Sequence, residues 1–153
     1  MTDDSTPTGS TQGTVAGNIA LTSRIWDEIW NKGDLDACAS VFSPDYVGHL
    51  PGMPAPVHGP EEFKQLVVVY RTAFPDVHLT VEDVFGTGDR VVARWVSRGT
   101  HQGSMMGIAP TGRSMEILGI SIFRIAGGQV AEEWEGFDTM SLMQQLGATG
   151  APG

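Results

Sequence analysis

Residues 74–103 read FPDVHLTVEDVFGTGDRVVARWVSRGTHQG. Val77, Leu79 and Val81 alternate along one face of a first strand, and GTGD (86–89) is the turn that follows it. Alternation resumes in 90–101, with Val91, Ala93, Trp95, Ser97 and His101 on one face and Val92, Arg94, Val96 and Arg98 on the other. Further strands follow the glycine-rich loop QGSMMGIAPTGR (102–113). SMEILGISIFRI (114–125) turns at AGGQ (126–129) into VAEEWEGF (130–137). In the last strand Val130, Glu132, Trp134 and Gly136 face one way, and Ala131, Glu133, Glu135 and Phe137 the other.

Upstream of the hairpin the period changes from two to 3.6. Residues 15–33, VAGNIALTSRIWDEIWNKG, space Ile19, Ile25, Trp26, Ile29 and Trp30 as a helix that Gly33 stops. Asp34 is placed to cap a short helix, LDACASVF (35–42), which SPD (43–45) breaks. YVGHLPGMPAPVHG (46–59) reads as loop. Pro60 opens a helix through PEEFKQLVVVYRTAF (60–74), with Glu61 and Glu62 at its positive end, and Pro75 closes it. Helices segregated from hairpin-connected strands predict an α+β domain over 15–147. The sheet is expected to be antiparallel and strongly curved, wrapping the N-terminal helices into a cone with an internal cavity. Residues 1–14 and 148–153 read as disordered or flexible tails.

Composition narrows the function. The 153 residues are 41% hydrophobic and 18% charged, an ordinary globular balance for one domain. A net charge of −9 argues against nucleic acid and anionic membrane surfaces. The polar start MTDDSTPTGSTQGT is unlike a signal peptide, and the lone Cys38 suits a reducing cytoplasm as a small core residue. The four histidines are scattered and no Cys/His cluster has zinc spacing, so no metal is expected.

The order of segments resembles the SnoaL-like polyketide cyclases of the nuclear transport factor 2-like superfamily. The resemblance rests on IWNKGDLD, FSPDYVGHLPG, the 74–103 hairpin, GIAPTGR, GISIFRIAGGQVAEEWEGFD and MQQLG, over residues 19–147. It implies a cone-shaped fold, a cofactor-free pocket, and an acidic residue acting as acid and base in an aldol-type closure of a polyketide ester. By one reading of the resemblance that acid falls near Ser121, which would leave it missing. By another, Asp138 takes the role.

Candidate site residues follow from these faces. If the Trp134 face looks inward, alternation carries Asp138 to the same side as a proton shuttle, although Asp138 also precedes TMSLMQQL as a helix cap. His49, after the second helix, is the candidate general base, and the resemblance favours a pocket position for it. His101, at the strand end, is the candidate stabiliser of an enolate oxygen. Trp95, Trp134 and Phe123 are expected to line a flat substrate, Met105 and Met106 to form an adaptable lid, and His58 to contribute at the rim. Should Asp138 prove a cap, Glu116 joins His101 as the next candidate. The expected activity is a cyclase or isomerase acting on a polyketide-like or polycyclic small molecule. Epoxide opening, dehydration, or ligand binding without turnover are the alternatives. Arg94 and Arg98 with Val92 and Val96 mark the outer sheet face as the place for a homodimer contact.

Overall fold

The computed structural model describes residues 13–147. The expected tails therefore lie outside the described residues, apart from Gly13 and Thr14. Thr14 belongs to the fold: its hydroxyl accepts the Gly17 amide hydrogen at 2.9 Å and caps helix α1 (Val15–Arg24). The helix continues as a π-helical turn, Ile25–Trp30, and Gly33 ends it at φ 71°. Ile25, Trp26 and Ile29 from this wider turn are all buried against the sheet.

A 3-10 turn (Leu35–Ala37) and helix α2 (Cys38–Val41) lead into strands β1 (Phe42–His49) and β2 (Val57–His58). Helix α3 (Gly59–Ala73) follows, then β3 (His78–Thr87), β4 (Arg90–Thr100), β5 (Ser114–Ala126), β6 (Gln129–Phe137) and helix α4 (Thr139–Gln145). The sheet order is β2-β1-β6-β5-β4-β3. Its curvature comes partly from bulges, one beside Glu82 in β3 and one at Ala131 in β6, each of which adds local twist.

The α+β class and the cone hold, but the sheet is mixed rather than wholly antiparallel, and it is open. Residues 42–49, read from sequence as the end of a helix, a breaker and a loop, form β1, which lies parallel to β6. The misreading came from Pro44. A proline has no amide hydrogen for a ladder, and here it sits where the β1–β6 register slips, between Phe42 and Val47. The rest of β1 pairs normally.

Two apolar clusters fill the cone. The larger joins α1, α2 and α3 to the sheet through Ile29, Val41, Phe42, Tyr46, Phe63, Val67 and Val91. Within it the rings of Phe42 and Phe63 lie 4.3 Å apart and those of Phe42 and Tyr46 4.6 Å. The smaller cluster gathers Phe74, Met105, Met115, Ile117, Leu142 and Leu146 at the other end. A cavity lies between them.

Candidate active site

Strand β5 alternates strictly, burying Met115, Ile117, Ser121, Phe123 and Ile125 on its inner face. Gly119 occupies one inward position directly opposite Trp95. A Cβ there would sit only 2.6 Å from Cε2 of the Trp95 ring, so the indole lies over this glycine because the glycine has no side chain. Thus placed, Trp95 Nε1–H donates to Ser121 Oγ at 3.0 Å. Ser121 Oγ in turn donates to Glu135 Oε1 at 3.3 Å, on the strand paired with its own.

A similar device operates one strand further on. Gly48 pairs with Glu133, and the bare glycine lets the Tyr46 phenol cross it. Tyr46 Oη–H donates to Glu133 Oε1 at 2.9 Å. Glu133 and Glu135, two positions apart on the inner face of β6, act on each other's ionisation. Both line the cavity with Ser121, Trp95 and Phe123, amid Trp26, Trp30, Phe63, Leu66 and Tyr70.

Electrostatics follow from this setting. Burial raises the Glu133 carboxyl well above the ordinary range, the neighbouring Glu135 charge raises it further, and the Tyr46 hydrogen bond partly opposes both. Burial likewise pushes Glu135 up to about 7, against hydrogen bonds from Glu133 and Ser121 that pull it down. Glu135 retains some accessible surface, but that surface belongs to a cavity wall and the surrounding protein still strips away water. The pair resists double ionisation and so holds a proton near neutral pH.

Several residues singled out from sequence lie elsewhere. Asp138 Oδ1 accepts the Ser141 amide hydrogen at 2.9 Å as the cap of α4, and Asp138 is exposed. His49 is on the outer sheet face, where Nε2 meets Glu132 Oε2 at 2.8 Å, and its side chain is 40% exposed. Trp134 is outside too, stacked on His49 at 5.7 Å with the Arg90 guanidinium 5.1 Å from its ring. The cause is the β6 bulge. Ile125 pairs with Val130 and Arg124 with Glu132, so Ala131 is left without a partner and the alternation shifts by one residue. Val130 faces in, and after the bulge so do Glu133, Glu135 and Phe137.

His101 is fully buried against Phe74 and does not line the cavity; its Nδ1 accepts the Thr111 amide hydrogen at 3.2 Å, pinning the 101–113 loop. His58 is exposed, and its amide hydrogen goes to Glu62 at 2.8 Å. Glu116 is exposed and ion-paired to Arg98 at 2.7 Å. Trp95 and Phe123 do line the cavity, while Met105 and Met106 line a second cleft outside it. Sequence reasoning passed over Tyr46, Glu133, Glu135 and Tyr70. A signal for two of them was present, since Glu133 and Glu135 share their alternation with Phe137.

Among the described residues no three His, Cys, Asp or Glu side chains converge as a metal-ligand set. Among the same residues no helix is long and apolar enough to cross a membrane.

Known proteins share both the sequence and the shape. A family model for SnoaL-like polyketide cyclases matches residues 20–146. Aklanonic acid methyl ester cyclase AcmA of Streptomyces galilaeus is 31% identical over 121 residues, spanning 78% of this chain and 84% of that protein. The corresponding cyclase DnrD of Streptomyces peucetius is 29% identical over 123 residues, with the same coverage of 78% and 84%. Among solved structures, IdmH of Streptomyces antibioticus superposes with a TM-score of 0.74 at 33% identity, covering 85% of this chain and 98% of that one. TsrD of Streptomyces laurentii superposes with a TM-score of 0.78 at 28% identity, covering 87% and 96%. A match that takes in both the cavity-lining helices and the strand bearing the paired carboxyls places this chain among the SnoaL-like polyketide cyclases, a family of enzymes to which it belongs.

Proposed function

We propose that this cyclase closes a ring in a polyketide-like small molecule by cofactor-free acid–base chemistry of the aldol type, with Glu133 and Glu135 handling the protons. The supporting observation is a pair of buried, hydrogen-bonded carboxyls facing one otherwise apolar cavity. Ser121, where one reading of the resemblance puts the family acid, has Glu135 as its direct partner on the next strand.

Glu135 takes a proton from a carbon made acidic by flanking carbonyls, leaving an enolate. The enolate carbon bonds to a ketone carbon of the same molecule, and the ketone π pair becomes an alkoxide. Glu133, still protonated, delivers its proton to that oxygen and regains one from the neighbouring Glu135. The product is an isomer of the substrate, and both carboxyls return to their starting state. Acid–base catalysis of this kind contributes about 10²–10⁴-fold, and holding the flexible chain in a reactive fold supplies much of the remainder.

Opening an epoxide by activated water calls for a cation beside the carboxylates. No Lys or Arg is among the cavity-lining residues, and Arg94 is on the outer face, paired with Glu82 at 2.9 Å. Aklanonic acid methyl ester, which the relatives' names give as their substrate, is the first compound to test. The wild-type protein should yield a product of unchanged mass. Glu133→Gln and Glu135→Gln, neutral and of matching shape, should each lower kcat by about 10²–10⁴-fold while the protein stays folded. Full turnover in both variants overturns the reading.

A further inference from the structure

The cavity holding the carboxyl pair has a free volume of about 80 Å³. A water molecule needs roughly 10–15 Å³ of such space, so the cavity admits only a handful of small groups. Sites that enclose a drug-sized ligand run to roughly 300–1,000 Å³. A polycyclic substrate therefore does not fit beside Glu133 and Glu135 as a whole. A second cleft of about 530 Å³ adjoins the cavity and is large enough. The two share a wall made by Pro51, Met53, Leu66, Tyr70, Phe137 and Leu142.

We infer that the site is bipartite: the outer cleft seats the flat, uncharged body of the substrate, the inner cavity admits only its reacting arm, and the Tyr70 hydroxyl at the throat between them donates to a substrate carbonyl. This rests on the acid–base reading of the inner cavity. Four observations carry it. The outer wall is apolar, with Val69 and Met106 exposed at 52% and 51% for no internal packing reason. Among the described residues, Glu62 is its one charged side chain, exposed and with one oxygen accepting the His58 amide hydrogen, and the cleft has no cation to hold an anionic ligand. Met106 is held at φ 50°, the only residue other than glycine with positive φ among the described residues, in a loop that turns its flexible thioether outward. Finally, Tyr46 and Ser121 are committed, to Glu133 and Glu135, and of the two other hydroxyls on the inner cavity wall, Ser97 and Tyr70, only Tyr70 also lines the outer cleft. Tyr70 lines both spaces, and its hydroxyl has no hydrogen-bond partner among the described residues.

Burial raises the Tyr70 phenol to about 12, the Glu135 charge adding to it, so the group stays a neutral donor throughout the working pH range. It takes the part that the sequence suggested for His101, with a hydrogen bond that strengthens as the carbonyl oxygen gains charge.

The test uses the intact protein with two readouts. One is fluorescence titration with N-phenyl-1-naphthylamine, a neutral three-ring probe that needs no turnover. The other is steady-state ring closure of aklanonic acid methyl ester. Val69→Asp and Met106→Asp, at exposed positions that fold independently of the change, should each weaken probe binding at least tenfold and raise KM with kcat held within about twofold. Tyr70→Phe should leave probe affinity within twofold while lowering kcat about 10²-fold or more. Probe binding that is absent from the wild type, or unchanged by both Asp substitutions, overturns the outer seat. Unchanged kcat in Tyr70→Phe overturns the throat role. Glu135→Gln separates this proposal from the one beneath it. Persisting turnover in that variant refutes the carboxyl mechanism, whereas the probe titration judges the cleft on its own.

Discussion

The paired carboxyls make the protein lose stability as pH rises through the neutral range. Glu135 ionises near 4.5 in an unfolded chain, and burial pushes it up to about 7 in the fold. Below pH 4.5 it is protonated in both states and contributes no pH dependence. Between 4.5 and about 7 the unfolded chain releases the proton freely and the folded one does not, so rising pH favours unfolding. At about 1.4 kcal/mol per pH unit, that interval amounts to about 3 kcal/mol of lost stability. Since Glu135 keeps some surface toward the cavity, this figure is an upper bound. Against a usual total of about 5–15 kcal/mol, it is a large fraction. Glu133, raised by burial and by the Glu135 charge, adds to the decline.

Other carboxylates do not obscure the effect. Asp76, held down by the Thr100 amide and hydroxyl, and Glu132, held down by His49, contribute stability that is lost only as pH falls below the ordinary carboxylate range. Among the carboxyl groups, the window from pH 5 to 7 therefore reports on the cavity pair. The assay is urea unfolding followed by the emission of the four tryptophans at pH 5, 6, 7 and 8. Glu135→Gln mimics the protonated form and should make the curve shallower, leaving only the share that Glu133 carries, and should be more stable than the wild type at pH 8 and closer to it at pH 5. Wild-type stability that is level or rising from pH 5 to 7 refutes the argument, as does a slope that Glu135→Gln leaves undiminished. By the same titration, turnover should rise through about pH 7 as Glu135 becomes available as a base.

Gly119→Ala should drive the Trp95 indole off its glycine and break the bond to Ser121, at a cost of about 1–3 kcal/mol in urea unfolding and with a red shift in tryptophan emission. Unaltered emission would show that the ring has room to spare. Asp138→Ala should lose about 0.5–2 kcal/mol as a missing helix cap while keeping kcat, and a kcat collapse at intact stability would restore it to the chemistry. The outer sheet face exposes Leu118, Ile120 and Phe85 at 60%, 51% and 54%, and a second copy of the chain is expected to cover it. Sedimentation should find a dimer that Ile120→Asp converts to monomer; a monomeric wild type counts against this.

How far a sequence can be read depends on where its periodicity survives. In β4 and β5 it survives intact, and Trp95, Ser97, Ser121 and Phe123 are all found on the faces that alternation assigns. In β6 it breaks at Ala131, a residue small enough to sit on either face, so nothing in VAEEWEGF marks the extra position. Counting forward from Val130 brings Trp134 and then Asp138 into the cavity; counting back from Phe137 brings Glu135 and Glu133. The large aromatic ring made the forward count attractive, because burying two glutamates in its place carries a heavy desolvation cost. That cost is met by neighbours that are remote in sequence: Tyr46 across Gly48, Ser121 across the β5–β6 pair, and each carboxyl by the other. A buried carboxyl pair is therefore legible only once its partners are known, and those partners lie on strands that the local pattern does not connect. The features that concealed the site are the ones that give it acid–base character. A fold that gives up stability to hold two protons' worth of carboxyl in an apolar cavity does so where the protons have somewhere to go.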